Sequence, residues 1–174
     1  MKKTILIYGF IAGLIVTLMM LYGTYSCYSD PNFKASEIFG FAGMLVAFIF
    51  IFLGIKNFRD HQNDGVISFG KAFKIGALIA LVASTCYVAV WLIEYYVFFP
   101  DFMDKFITTS IKNAQESGKS AVELTAITKQ MNQYREWYKN PILVLLMTYM
   151  EILPIGLVVA LLSSMILKKK KAIA

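Results

Sequence analysis

Apolar residues run through this chain in four long blocks, not in the alternating or half-turn patterns of a surface strand or helix. Three blocks carry no Asp, Glu, Lys or Arg: Thr4 to Ser29, Ile38 to Ile55 and Ile75 to Ile93, of 26, 18 and 19 residues. A fourth, Pro141 to Leu167, holds one charge, Glu151, and stops at Lys168, Lys169, Lys170 and Lys171. At 1.5 Å per residue each block can cross about 30 Å of hydrocarbon. The pattern predicts an all-α membrane protein, a four-transmembrane-helix bundle forming a single integral-membrane domain over residues 1–174. Its spans lie at about 4–27, 37–56, 72–98 and 141–167, joined by a loop over 56–74 and a longer segment over 100–140.

The residues at the block ends favour the same helices. Ser36 before Glu37 can cap the second span, and Asn140 before Pro141 places a capping amide ahead of a proline at the first helical position. Asn63-Asp64-Gly65 is a turn signal. Phe69, Ala72, Phe73 and Gly76 share a face, so the third helix is expected to begin in the membrane interface, with Lys71 and Lys74 reaching headgroups. Within 100–140, Pro100-Asp101 and Asp104 start one helix and Gly118 ends it. Ser120-Ala121-Val122-Glu123 is a capping box for a second. Leu124, Ile127, Met131, Tyr134 and Tyr138 then repeat at helical spacing, a narrow apolar seam. These features predict an extracytoplasmic αα-hairpin between the third and fourth spans.

Composition agrees with the blocks: 58% of the 174 residues are apolar and the mean hydropathy is +0.63, well above soluble globular proteins. The net charge of +6 sits largely at membrane flanks. It reports topology and excludes a nucleic-acid partner, which needs a basic face on a soluble module. The amino end carries two Lys or Arg, the 56–74 loop four and the carboxyl tail four, against Lys34 alone in the first outer loop. Positive-inside then places both termini in the cytoplasm and 100–140 outside. Tyr22, Tyr25, Tyr28, Trp91, Tyr95, Tyr96, Trp137 and Tyr138 gather at the predicted outer boundary, as an aromatic belt does. The first apolar run exceeds the 7 to 15 residues usual in a cleaved signal and reads as a retained anchor. Cys27 and Cys86 fall at different depths, so a structural disulfide between them is not expected.

Little in the chain resembles catalytic apparatus. It has no His-Glu-x-x-His, nucleophile elbow or phosphate loop. Its one histidine, His61, sits with Asp60 and Asp64 in what reads as a solvated turn, so no metal and no cofactor are expected. Glu151 is the most informative residue. It lies about 15 Å into its span, where a carboxylate costs several kcal/mol unless protonated, paired or wetted. Pro154, three residues on, leaves the Met150 carbonyl without its amide partner and can kink the helix beside the acid. Glu151 is thus either a proton or cation site or a hydrogen-bonded residue fastening helices together. Glu94 is either a second, shallower lining acid of one outward-facing cavity or an interfacial carboxylate reaching water.

Rows of small residues at Gly9 and Gly13, Gly43 and Ala47, Gly76, Ala80 and Ser84, and Gly156, Ala160 and Ser164 let helix backbones approach within one chain or between copies. Met131, Tyr134, Trp137 and Tyr138 either bury against the first helix of the hairpin or present a surface to a partner. Lys71, Lys74, Lys168, Lys169, Lys170 and Lys171 are candidate anchors for anionic lipid.

The run Gly54-Ile55-Lys56-Asn57-Phe58-Arg59-Asp60, the run Gly65 to Gly76, then Tyr138-Lys139-Asn140-Pro141, and Met147-Thr148 through Glu151-Ile152-Leu153-Pro154-Ile155-Gly156 before a lysine tail form a combined pattern. It is similar to the bacterial integral-membrane proteins grouped as domain of unknown function 4199. The resemblance covers nearly the whole chain and implies a four-span helical protein of the bacterial cytoplasmic membrane; it carries over no activity and no site residue. Two functions are expected from the residues themselves. The first is a non-enzymatic accessory or scaffold subunit of a membrane assembly, with lipids and a membrane-protein partner around it. The second is a homo-oligomeric carrier for a small solute, coupled to a proton or cation at Glu151, with Pro154 as hinge and Glu94 as entry carboxylate.

Overall fold

The computed structural model describes residues 1–30, 33 and 37–169. The four apolar blocks form α1 (Lys2–Ser29), α2 (Glu37–Gln62), α3 (Phe69–Ile93) and α6 (Pro141–Leu167); the polar segment supplies α4 (Phe102–Glu116) and α5 (Ala121–Tyr138). A π-helical turn, Glu94–Phe98, prolongs α3, so that α1, α2, α3 with its π turn, and α6 are each long and apolar enough to cross a membrane. Among the described residues the only β pairing is an isolated bridge between Ile67 and Lys169.

Charge ends the apolar runs without ending the helices. α2 continues past Lys56 to Gln62 because Phe58 still packs into the core, and the chain turns only at Asp64 and Gly65, both at positive φ. Gly65 at φ 73 adopts freely what a β-carbon would resist. Ser68 caps α3, accepting from the Lys71 amide, so the expected 56–74 loop shrinks to 63–68. Asn140 Oδ1 accepts from the Ile142 amide at 3.0 Å and Pro141 takes the first helical position, as expected. The cap expected at Ser36 lies outside the described residues. α6 remains helical through Pro154.

The bundle is greasy outside and small inside. Leu6, Phe10, Leu14, Leu18, Phe41, Leu45, Ile49, Val158, Leu162 and Met165 all face outward, as contact with lipid requires. Inside, Gly9 and Gly13 sit against Val82 and Cys86 so closely that an added β-carbon would stand 2.7 and 2.9 Å away. Gly76 meets Ala160 and Gly156 meets Ala80 at 2.9 and 2.8 Å by the same measure, while Gly43 receives Met19. The small-residue rows are therefore used within the chain, giving the close backbone approach that substitutes for a hydrophobic driving force in lipid.

α1 packs on α2 and α3, and α6 on α3 and α2, so α1 and α6 stand at opposite corners while α2 and α3 touch across the diagonal. The helix ends near the 63–68 turn converge. The Met1 amine donates to Gln62 Oε1 at 3.0 Å, Gln62 Nε2 to Thr4 Oγ1 at 2.8 Å, and Ile67 and Lys169 exchange both backbone bonds at 2.9 Å. That half of the bundle is sealed by Phe48, Ile51, Ile55, Ile75 and Ile79, all fully buried. The other half, toward α4 and α5, is not filled.

Candidate functional site

Two adjoining cavities of about 240 and 320 Å³ occupy the unfilled half, sharing Met20, Thr24, Tyr87, Phe102 and Glu151 as walls. They make one chamber. α1 contributes Val16, Met19, Met20 and Thr24; α2 Gly40 and Met44; α3 Tyr87 and Trp91; α6 Thr148 and Glu151. α4 lies over it with Phe102, Met103 and Phe106, and Tyr138 at the end of α5 closes a side. The opposite corners held by α1 and α6 explain the space: neither helix fills the gap across the diagonal.

Glu151 opens into this chamber and is exposed there, while its neighbour Ile152 is fully buried between the helices. Its surroundings are phenols rather than cations. Tyr87 and Tyr138 both stand within electrostatic reach of its carboxyl, and among the described residues no Lys or Arg lines either cavity. The Trp91 ring nitrogen reaches the Tyr138 hydroxyl, fixing that phenol at the wall. Tyr138 lies beyond the spans, and burial, then the nearby Glu151, push its phenol well above the usual tyrosine range. Thr148, one turn before Glu151, spends its hydroxyl on the Val144 carbonyl at 2.8 Å. On α6, then, Glu151 is the chamber's free polar group.

Glu94 departs from both sequence expectations. It is only 3% exposed, so it neither reaches water at the interface nor lines the two cavities. Its carboxyl reaches the Thr24 hydroxyl, and among the described residues its Oε2 has no hydrogen-bond partner. The cause is the π turn, in which the Phe99 amide bonds the Glu94 carbonyl at 2.8 Å, five residues back. One extra residue in the turn shifts the helical phase. Glu94 and Tyr95 go inward, while Tyr96, Val97 and Phe98 face out. Glu94 thus stands behind Thr24, which is itself a wall of the chamber.

The roof is tied down at both ends. Tyr28 donates to Asp101 Oδ1 at 2.7 Å, Lys105 pairs with Asp101 at 3.1 Å, and the Lys105 ammonium sits 3.8 Å from the Tyr28 ring centre. The Tyr28 hydroxyl and then Lys105 hold the Asp101 carboxyl below the usual range, and the same two partners raise Lys105. This clasp fixes the start of α4 to the end of α1. Phe33 reinforces it, its ring 5.1 Å from that of Phe102. Farther along, Arg135 of α5 bonds Asp104 of α4 at 2.8 Å. The Ser120–Glu123 capping box forms in both directions; the Ser120 amide and hydroxyl hold the Glu123 carboxyl below its ordinary value.

The predicted interaction residues separate. Met131, Tyr134 and Tyr138 pack on Tyr95, Met103 and Ile107, so the seam is used against the protein's own α3 and α4. Trp137 stays 37% exposed. Of the lipid-anchor lysines, Lys71 bonds Asn63 Oδ1 at 2.6 Å and lies 5.0 Å from the Phe58 ring centre, so its ammonium is engaged within the protein. Lys74 is exposed, Lys168 and Lys169 lie exposed at the end of α6, and Lys170 and Lys171 fall outside the described residues. Asp60 pairs with Arg59 at 2.6 Å and His61 Nδ1 lies 3.3 Å from the Asn57 carbonyl, on the far side of the sealed half from Glu151.

Sequence reasoning missed Tyr87, Thr24, Thr148 and the α4 roof. A faint signal existed. Thr148 shares a face with Glu151, and Tyr87 is a polar-tipped aromatic in the uncharged core of its span. Nothing in the sequence announced that α4 folds back over the spans.

A family model described as "Protein of unknown function (DUF4199)" matches residues 7–169. No curated protein and no solved structure matches the chain. Because the match runs almost end to end, the chain belongs to that family, and its four apolar helices make it a multi-pass membrane protein by architecture.

Proposed function

We propose that this protein is a non-enzymatic module of the bacterial cytoplasmic membrane that takes up a proton or a cation at Glu151, in the chamber beneath α4. One observation carries the reading: the single carboxyl deep in α6 opens into an aromatic-walled space, rather than into packed core. A buried acid kept at such a cost is by default a site of exchange. The sealed half of the bundle blocks passage in this conformation, so transport requires that half to open, and Pro154, one turn beyond Glu151, is the place where α6 yields most easily. Both chain ends face the cytoplasm in this reading. Lys2, Lys3, Lys74, Lys168 and Lys169 gather at the end of the bundle where Met1 meets Gln62 and Ile67 meets Lys169, which the positive-inside rule assigns to that side.

The accessory-subunit reading ranks second. Trp137 and Val122 remain exposed on α5, but the seam that would have offered a broad surface is taken up by internal packing. The experiment is flux into vesicles that hold the purified protein and a pH-sensitive dye. Wild type should carry a pH-dependent proton or cation current that Glu151→Gln abolishes while the helix content is kept. A current untouched by that exchange removes Glu151 from the function.

A further inference from the structure

The walls of the chamber narrow what it takes. Five aromatic rings, those of Tyr87, Trp91, Phe102, Phe106 and Tyr138, surround the same space as the Glu151 carboxyl. A hard inorganic cation such as Ca²⁺ or Mg²⁺ needs about six oxygen ligands, and the chamber gives one carboxyl and a few hydroxyls. Aromatic faces instead attract a weakly hydrated cation through their quadrupoles, most strongly when water is excluded. No lysine or arginine of the described chain competes for them. A volume of about 320 Å³, adjoining a further 240 Å³, suits a molecule of about one ring with a short substituted ammonium.

We infer that the chamber is a binding site for a small organic monocation, an aryl- or alkyl-ammonium, whose charge pairs with Glu151 inside the ring of aromatic side chains. This rests on the reading of Glu151 as an exchange site. The pairing also explains why the carboxyl stands free on α6 and why α4 is clasped over it, since a roof excludes the water that would weaken both attractions.

The test uses the full-length protein in mild detergent and benzyltrimethylammonium as probe, with its neutral carbon isostere, neopentylbenzene, as control, by calorimetry. The inference expects saturable binding of the cation at one per chain and none of comparable strength for the neutral isostere. Tyr138→Leu and Phe106→Leu should each weaken binding roughly threefold to thirtyfold, the range of one cation–aromatic contact. Tyr138→Phe keeps the ring and should retain most of the affinity, which separates ring loss from misfolding. Glu151→Gln should weaken binding further and remove any proton release that accompanies it. Equal binding of the isostere, or no saturable binding by a protein of native helix content, overturns the inference. Proton exchange that depends on Glu151 but is indifferent to the ammonium would leave the exchange-site reading standing and defeat only this one.

Discussion

Replacing Gly76 with Ala tests the packing that holds the chamber's floor. An added β-carbon would stand 2.9 Å from Ala160 Cβ, 3.0 Å from Ile55 Cδ1 and 3.1 Å from Ile51 Cγ2. Carbon atoms prefer about 3.5 to 4.0 Å. Ala160 Cβ is bonded to backbone and cannot swing aside, so α3 and α6 must separate by roughly 0.6 Å or more. Over-packing of this kind costs about 1 to 3 kcal/mol, while Gly→Ala in a helix returns about 1 kcal/mol of propensity. The net expectation is a loss of about 0 to 2 kcal/mol. Ala160→Gly alone should also destabilise, by about 1 kcal/mol from propensity plus the lost contact. The double variant moves the methyl group across the interface, so the two losses should not add: a coupling of about 1 to 2 kcal/mol is expected. Gly40→Ala is the control. Its β-carbon would meet nothing within 4 Å, and it should stabilise α2 by up to about 1 kcal/mol. The assay is unfolding in mixed micelles with increasing SDS, read by circular dichroism. Additive losses, or a Gly76→Ala variant stabilised as much as Gly40→Ala, would refute the close approach of α3 and α6.

Three further outcomes follow from the roof. Asp101 is held below its unfolded value by Tyr28 and Lys105, so its stabilising effect is present above about pH 4 and is lost as pH falls through the lowered value; amide exchange in the first turn of α4 should quicken in acid, and Asp101→Asn should flatten that response. Tyr138 is raised by burial and by Glu151, so its contribution is present below about pH 10 and lost as pH rises beyond it. Alkaline unfolding of Tyr138→Phe should accordingly show a shallower slope, read by the same micelle titration. Ser120→Ala removes the capping box and should cost about 1 kcal/mol, seen as faster exchange at the first amides of α5 with the spans unaffected.

The spans were legible because lipid demands an unbroken apolar run, and the turn at Asp64-Gly65, the Asn140 cap and the Ser120–Glu123 box were legible because each rests on neighbouring residues. Glu151 stood out for the same reason, as one charge in an apolar block. What depends on how distant segments meet was not. The inward turn of Glu94 comes from a π turn with no local signature, and the enclosure of Glu151 comes from α4 lying across the bundle. The seam of α5 was visible as periodicity, but periodicity cannot say whether a stripe meets the protein's own helix or another molecule; here Tyr95, Met103 and Ile107 take it up.

The central claim is that Glu151 exchanges a proton or cation within the chamber. Its most direct test is infrared difference spectroscopy of the protein in lipid nanodiscs between about pH 4 and pH 9, with wild type compared against Glu151→Gln. The account predicts a carboxyl carbonyl band that changes with pH, shifts when benzyltrimethylammonium is added, and is missing from the variant. Identical difference spectra from the two proteins at every pH would contradict it.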